Sequence, residues 1–326
     1  MRRSAIGLGL LAFGAVLLGA ALAVRLFLEP TMVRLPLDQT GSTTVADENA
    51  SYFDQETLEQ RQGYVEANVV VQGDPGSDEA TDDVAVWVSG TTITNEDYKV
   101  VTPPTEMVVC LDRHSAESVA CDSAAINKVP ADIKGLTVTF PLGTEPRDYE
   151  VWNSNIGASA TAKYAGEEQL DGVTVYRFEQ SIPEQVIDHK EVPSSFAGGS
   201  EAGNVTADVV FTNDRTFFVE PTSGMIVKAT ESPDIVLRGP DGATGVTILS
   251  ADLAPEDAAV AAKVADAADT RDQITLVRST LPLVLVVLGI VLVAVGLFLR
   301  LRPGRRSPGR HEVPAQPEPA TVSQAS

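Results

Sequence analysis

The chain has 326 residues, of which 44% are hydrophobic, and a formal net charge of −21 at pH 7. Arginines concentrate near the two ends, so the segment between them is more acidic than the chain as a whole. A surface of this charge repels phosphate groups, which excludes nucleic acid as a partner and argues against docking on anionic lipid headgroups. The composition suits a water-facing domain.

The longest apolar segment is Leu281–Leu299, LPLVLVVLGIVLVAVGLFL, which contains no charged residue. A helix of this length matches the hydrocarbon core of a bilayer at a rise of about 1.5 Å per residue. Arginines follow it from Arg300 to Arg310. By the positive-inside rule, the C-terminus is predicted to be cytoplasmic and the residues before the span extracytoplasmic. The proline-rich tail, residues 300–326, is predicted to be disordered.

Residues 1–28 form a second apolar segment with two interpretations. A cleaved signal peptide would have its small-residue site at Ala21-Leu22-Ala23. An uncleaved transmembrane anchor is favoured by the length of the segment, and the arginines at positions 2 and 3 place the N-terminus in the cytoplasm. We therefore predict a two-span protein of the plasma membrane. Ala15, Gly19 and Ala23 recur every fourth residue and predict a helix-packing face.

Residues 29–280 are predicted to form an extracytoplasmic, mainly β domain. From Tyr64 to Gln72, apolar and polar residues alternate with the period of a strand, and turn sequences separate similar runs. The pattern predicts an antiparallel, curved β-meander between the two transmembrane helices. The further predicted strands are Val84–Val88, Glu106–Leu111, Glu117–Cys121, Leu136–Phe140, Ala160–Ala165, Val173–Glu179, Val205–Phe211, Thr216–Glu220, Met225–Thr230, Asp234–Leu237 and Val246–Leu249.

Four segments of this domain depart from the strand pattern. Asp38–Ser51 is polar and predicted to form turns, and Tyr52–Gln62 is predicted to form a short helix. Pro183–Gly203 is predicted to be a linker or lid, so that residues 29–280 form either one domain or two subdomains that meet around residues 183–203. Ala254–Arg271 is alanine-rich and predicts a helix that serves as a stalk or packs against the sheet.

The chain carries few residues suited to catalysis or metal binding. Cys110 and Cys121 flank a short turn, and outside the cytoplasm they predict a disulfide, with two free thiols as the alternative. His114 and His189 lie in polar sequences without a nucleophile or metal-ligand pattern, so both are predicted to be surface residues. The acidic run Asp74–Asp83 lacks the spacing of a calcium loop. We predict no enzyme activity, no metal and no cofactor.

The aromatic residues suggest a site of another kind. Trp87, Trp152, Tyr176 and Phe178 fall in or beside the strand segments. They form either the packed core of the sheet or the wall of an apolar cavity that takes up an acyl chain, and strand alternation does not separate the two. We name these four residues as candidates for the wall of a ligand cavity.

Several phrases of the sequence occur together in a known family. They are VVCLDRHSAESVAC, FPLGTEPRDYEVWNSN, GVTVYRFEQSIP, DRTFFVEPTSGMIV and LVRSTLPLVLVVLGIVLVAVGLFL. In these phrases and their order, the chain resembles the two-pass envelope proteins of actinobacteria that form the porin PorA family. The resemblance implies a place in the envelope of a high-GC Gram-positive bacterium and supplies no catalytic residue. The phrase FFVEPTSGMIV is also similar to hairpins of bacterial lipoprotein-carrier folds, in which a curved sheet holds an acyl chain.

Three functions are compatible with this sequence, and the third is a hydrolase with an unrecognised site around His114 or His189. The main prediction is a membrane-anchored, non-catalytic protein that binds or passes on a hydrophobic envelope ligand, or binds another envelope protein. The alternative is a porin-like channel subunit, and this would have to be a homo-oligomer because two spans in one chain do not enclose a water-filled pore.

Overall fold

The computed structural model describes residues 2–200 and 202–301. The described residues fall into two compact units. One, the helical unit, contains residues 2–22 and 283–301, and the other, the β unit, contains residues 23–282. The predicted disordered tail lies outside the described residues from position 302 onward.

Two long helices are apolar enough to cross a membrane. The first comprises α1 (Arg2–Ala23), a π-helical turn (Val24–Leu28) and α2 (Glu29–Met32). The second comprises α3 (Asp257–Thr275), a second π-helical turn (Leu276–Thr280) and α4 (Leu281–Leu301). By length and composition, the candidate spans lie within Ala5–Met32 and Asp257–Leu301. Both predicted apolar segments are therefore helical.

Glycines bring α1 and α4 into direct backbone contact within the helical unit. Gly7, Gly14 and Gly296 are buried. A Cβ atom at Gly14 would lie 2.8 Å from the carbonyl oxygen of Gly289, and one at Gly296 would lie 2.8 Å from that of Gly7. The seven-residue spacing within each helix keeps these positions on one face. Close packing of small residues is the usual basis of helix association in membranes.

The predicted packing face on α1 is wrong. Ala15, Gly19 and Ala23 are all exposed, and a Cβ atom at Gly19 would have no neighbour within 4 Å. A spacing of four residues and a spacing of seven both align small residues on one side of a helix. The segment contains both patterns, and sequence spacing alone does not reveal which one meets the partner helix.

The β unit consists of one 13-stranded sheet that remains open, and strands make up 47% of the structure. Every pair of neighbouring strands is antiparallel. The order across the sheet is β7-β6-β4-β3-β2-β1-β13-β12-β11-β10-β9-β8, with β5 paired to β4. The strands are β1 Thr40–Asp54, β2 Glu59–Gly73, β3 Val84–Asn95, β4 Val100–Asp112, β5 Ser118–Val119, β6 Ala125–Ile126, β7 Val129–Pro130, β8 Tyr149–Asn153, β9 Ala158–Leu170, β10 Val173–Pro193, β11 Asn204–Val219, β12 Ile226–Arg238 and β13 Thr244–Ser250.

Strong curvature brings the two ends of the sheet into one hydrophobic core. Trp87 and Met107, near one edge, belong to the same buried cluster as Phe178 and Phe217 from the other half. The segment between β7 and β8 connects the two ends of the sheet, because Leu136 forms an isolated parallel bridge with Val151 of β8. The predicted antiparallel, curved β fold is confirmed.

Several local predictions differ from the structure. The polar segment Asp38–Ser51 lies mostly in β1, and Tyr52–Gln62 forms a hairpin rather than a helix. Leu136–Phe140 is not a strand, and β10 continues without interruption through the first half of the proposed linker to Pro193. Pairing across the sheet overrides weak local propensity at these positions, since a long partner strand supplies the hydrogen bonds.

A disulfide joins Cys110 in β4 to Cys121 beyond β5. Glu79 belongs to the acidic run Asp74–Asp83, and its carboxylate attaches this run to the region of the disulfide. It accepts hydrogen bonds from the backbone N–H groups of Asp122 (2.6 Å) and Ser123 (3.2 Å), and from the hydroxyl of Ser123. These hydrogen bonds, that from the Ser123 hydroxyl first, lower the pKa of Glu79 below its usual value.

Candidate ligand cavity

A cavity opens where the sheet separates between β1 and β12. The short strand β13 pairs with β1 only at Ser51 and Tyr52. Leu253 and Ala254 continue the connection through isolated bridges to Glu231 and Ala46. Beyond these bridges the remaining residues of β1 and β12 are not joined, and a cavity of about 1190 Å³ occupies the space.

The cavity wall is more apolar than polar. Strands β1 to β4 contribute one side, and β11, β12 and β13 contribute the other. Ligand pockets of several hundred Å³ with mostly apolar walls are typical of sites for small molecules and lipids. Apolar wall residues include Val69, Val71, Ile93, Met107, Phe217 and Ile235.

Helix α3 forms a further part of the wall. Val264 and Ala267 pack against Val173 and Val227 of the sheet in a separate apolar cluster. Val260, in the same cluster, also faces the cavity. Of the two predicted placements of this helix, contact with the sheet is therefore the one observed.

The cavity wall includes the residues next to both candidate spans. Met32 and Val33 end the first long helix, and Ile274 and Val277 precede α4. These contributions all belong to the β unit.

The charge of the cavity wall is opposite to that of the chain. Five basic residues line it against two acidic ones, although the protein carries a net charge of −21. Charges that line a cleft with partly apolar walls act on a ligand more strongly than the same charges in bulk water. The basic residues are Arg34, Lys190, Arg215, Lys228 and Lys263, and the acidic residues are Asp188 and Glu231.

Arg215 is held in place by an ordered set of contacts. Its Nε lies 3.0 Å from Oε1 of Glu231, and its Nη1 donates to Oε1 of Gln180 at 3.2 Å. The guanidinium carbon is 4.7 Å from the ring centre of Phe217. The side chain is 14% exposed. Because Glu231 neutralises it, Arg215 does not account for the excess positive charge.

The four predicted cavity aromatics have different positions. Trp87 and Trp152 line the cavity. Trp87 is fixed by a hydrogen bond from its indole N–H to the carbonyl oxygen of Pro36 at 3.0 Å. Whether either residue contacts a ligand remains a prediction.

Phe178 and Tyr176 do not line this cavity. Phe178 is fully buried and stacks on Phe140, with ring centres 4.8 Å apart. Tyr176 packs edge-on against Tyr164 and faces a smaller cavity of about 390 Å³ beside Arg278. The core interpretation therefore applies to Phe178, because its position faces other aromatic rings rather than open space.

A cluster of charges joins the two chain segments that lead to the spans. Nε of Arg278 lies 3.0 Å from Oε1 of Glu29, and Nη1 of Arg25 donates to the carbonyl oxygen of Arg278 at 2.8 Å. Glu29 is only 17% exposed. These contacts fix the ends of the β unit to each other.

His114 and His189 lie on the surface, as expected. Nε2 of His114 is 3.7 Å from Asp83, and Nδ1 of His189 is 2.8 Å from Asp208. The imidazoles are 47% and 66% exposed, respectively. Neither residue lines the large cavity.

Sequence reasoning missed the lysines of the cavity wall. Lys228 in β12 and Lys263 in α3 carry no local motif, and they come together only because the helix lies beside the separated strands. Their only signal in the sequence is that basic residues are scarce between the two spans.

A family model for porin PorA matches residues 6–298, which include both candidate spans and the β unit. The chain belongs to the porin PorA family.

Two relatives were compared with the chain. A protein named porin PorA from Corynebacterium amycolatum is 25% identical over 305 residues, covering 71% of this chain and 77% of the relative. A second, from Corynebacterium resistens, is 33% identical over 86 residues, covering 26% of this chain and 20% of the relative. Family membership and the two apolar helices support a membrane location.

Proposed function

We propose that the β unit of this membrane protein binds a hydrophobic molecule with an acyl chain in the cavity between β1 and β12. The observation that carries the proposal is the cavity itself, about 1190 Å³ in volume, with a wall that is more apolar than polar. Burial of a long alkyl chain there would gain about 0.8 kcal/mol for each methylene removed from water. The protein acts as a binder or carrier rather than as an enzyme.

Tryptophan fluorescence offers a direct test. The chain has two tryptophans, and both line the cavity. We expect methyl 9,10-dibromostearate, whose bromine atoms quench indole emission on contact, to quench the full-length protein saturably in non-ionic detergent. The variants Trp87→Phe and Trp152→Phe then show which of the two indoles the brominated alkyl chain contacts.

A matched pair of variants locates the binding. Thr91 lines the cavity, whereas Thr92, next to it in β3, points to the opposite face of the sheet and is absent from the wall. We expect Thr91→Phe to weaken quenching by filling the cavity and Thr92→Phe to leave it unchanged. Quenching that never saturates, or that both variants reduce equally, would contradict the proposal.

A porin-like channel is the second candidate, and the comparisons favour it over ligand binding because both relatives are named porin PorA. We propose that channel activity would require an assembly of several copies. In the described part of the helical unit, α1 and α4 pack through glycine backbone contacts, and their outward side chains are apolar. One helix pair therefore supplies no polar lining for a pore.

Conductance measurements in planar lipid bilayers test the channel function. Single-channel conductance that persists after repurification and depends steeply on protein concentration would support an oligomeric channel. Conductance absent at concentrations at which the protein is fully inserted would count against it. Loss of conductance in a Gly14→Ala variant, but not in Gly9→Ala, would connect the activity to the packed helix pair, since a Cβ atom at Gly9 has no neighbour within 4 Å.

We propose the plasma membrane of an actinobacterial envelope as the location, with both termini cytoplasmic and the β unit outside. The arginines after α4 support this orientation. A Tyr98→Cys variant tests this orientation, because Tyr98 is an exposed residue in the hairpin between β3 and β4. A membrane-impermeant maleimide should label that variant in intact cells, and labelling only after lysis would reverse the orientation.

A further inference from the structure

We propose that the cavity selects an anionic amphiphile, namely a long-chain lipid with one negatively charged headgroup, and that Lys228 and Lys263 provide the selectivity. The inference rests on the proposed ligand-binding function and adds the charge of the ligand and the residues that recognise it.

Most basic residues of the cavity wall have a neighbouring carboxylate, and two do not. Of the five basic residues, Arg215 is paired with Glu231 and Arg34 with Asp82. Lys190 is exposed and lies two residues from Asp188, which also faces the cavity. Lys228 and Lys263 remain, each half-buried.

These two lysines lack a protein counter-charge among the described residues. Within residues 2–200 and 202–301, neither ammonium group has a carboxylate within ion-pair distance. Nζ of Lys228 lies 5.3 Å from the ring centre of Phe218, a contact that orients an ammonium without neutralising it. The chain has 45 acidic residues and only 24 basic ones, so two unpaired lysines beside one cavity call for an anion.

The position of the cavity indicates the source of the ligand. The same cavity reaches Met32 and Val277, which border the two membrane segments in the chain. Lipid of the surrounding bilayer is the nearest supply of molecules with an apolar chain and an anionic group. The acidic exterior repels such molecules, so the positive wall provides a site for them inside a protein that otherwise disfavours anions.

The test compares two probes that differ only in charge. Full-length protein in non-ionic detergent at pH 8 is titrated with 9,10-dibromostearic acid and with its methyl ester, and quenching of the two tryptophans is measured. We expect the acid to bind at least about 10-fold more tightly than the ester. The double variant Lys228→Gln with Lys263→Gln should reduce this preference to less than about twofold, with the affinity for the ester unchanged.

A matched control is the double variant Lys134→Gln with Lys163→Gln. Both lysines are exposed and lie outside the cavity wall, so their loss changes the net charge by the same two units without changing the site. Its preference for the acid should equal that of the unmodified protein. Loss of preference in this control would assign the effect to overall charge and overturn the inference.

The outcomes separate the two proposals. Saturable quenching by both probes with equal affinity would support ligand binding and overturn anion selectivity. Quenching by neither probe would contradict both. Displacement of the bound acid by phosphatidylglycerol, but not by phosphatidylcholine, would identify membrane phospholipid as the source, whereas displacement by oleate alone would identify a free fatty acid.

Discussion

Substitution of Gly14 by alanine should weaken the pairing of α1 and α4. The added methyl group would lie 2.8 Å from the carbonyl oxygen of Gly289 and 2.8 Å from Cγ2 of Val293. Both distances are well below ordinary van der Waals contact, and one neighbour is backbone, so the helices must separate. Overpacking of this kind costs about 1–3 kcal/mol. Alanine recovers up to about 1 kcal/mol of helix propensity, and Gly19→Ala controls for that gain.

The assay uses a disulfide reporter between the two helices. A Cβ atom at Gly7 would lie 3.6 Å from Cβ of Leu299, which is suitable for a disulfide, so Gly7→Cys and Leu299→Cys form the reporter pair. In a glutathione buffer, the oxidised fraction measures the effective concentration of the two thiols. We expect Gly14→Ala to lower this effective concentration by about 5- to 150-fold relative to Gly19→Ala.

Exposed Gly19 makes the comparison decisive, because a Cβ atom there has no neighbour within 4 Å. Equal effective concentrations in the two variants would refute close glycine packing as the basis of the pair. A fall in Gly19→Ala alone would instead place the interface on the four-residue pattern of α1.

Three further predictions concern the β unit. Joint replacement of Cys110 and Cys121 by serine should cost roughly 3 kcal/mol, since the bond closes a loop of sequence separation 11, and thermal unfolding should measure the loss. The pKa of Glu79 is lowered on folding from its usual 4.5, so its stabilising contribution is complete above that pH and is lost as pH falls through the folded pKa; Glu79→Gln should therefore lower the free energy of unfolding near pH 7 and flatten its pH dependence below pH 4.5. Gly224→Ala should lower the melting temperature by several degrees more than Gly242→Ala, because both glycines have positive φ (71° and 81°) but only a Cβ atom at Gly224 would overlap a backbone carbonyl oxygen.

Hydropathy and alternation were sufficient to predict the class of the fold and both apolar helices. The failures have a common cause in long-range pairing. Thr40–Asp47 is polar and lacks a strand pattern, yet β2 pairs with it residue by residue from Thr40 to Asp47. Phe178 and Trp152 carry equivalent sequence signals and both belong to the main buried cluster, yet only Trp152 also lines the cavity.

The candidate site was less predictable than the fold. An apolar cavity under a curved sheet was one of two interpretations of the aromatics, the other being core packing, and its position depends on the shortness of β13 and on the two bridges at Ala46 and Glu231. Neither feature has a signature in the sequence. The lysines from β12 and α3 are 35 positions apart in the chain numbering and meet at one cavity only in the folded protein.

Native mass spectrometry of the full-length protein released from lipid nanodiscs would show whether the cavity holds a lipid chain. We expect one retained lipid per protein chain, which Thr91→Phe abolishes and Thr92→Phe preserves. A bare protein mass for the unmodified chain, or a lipid adduct that survives equally in both variants, would contradict it.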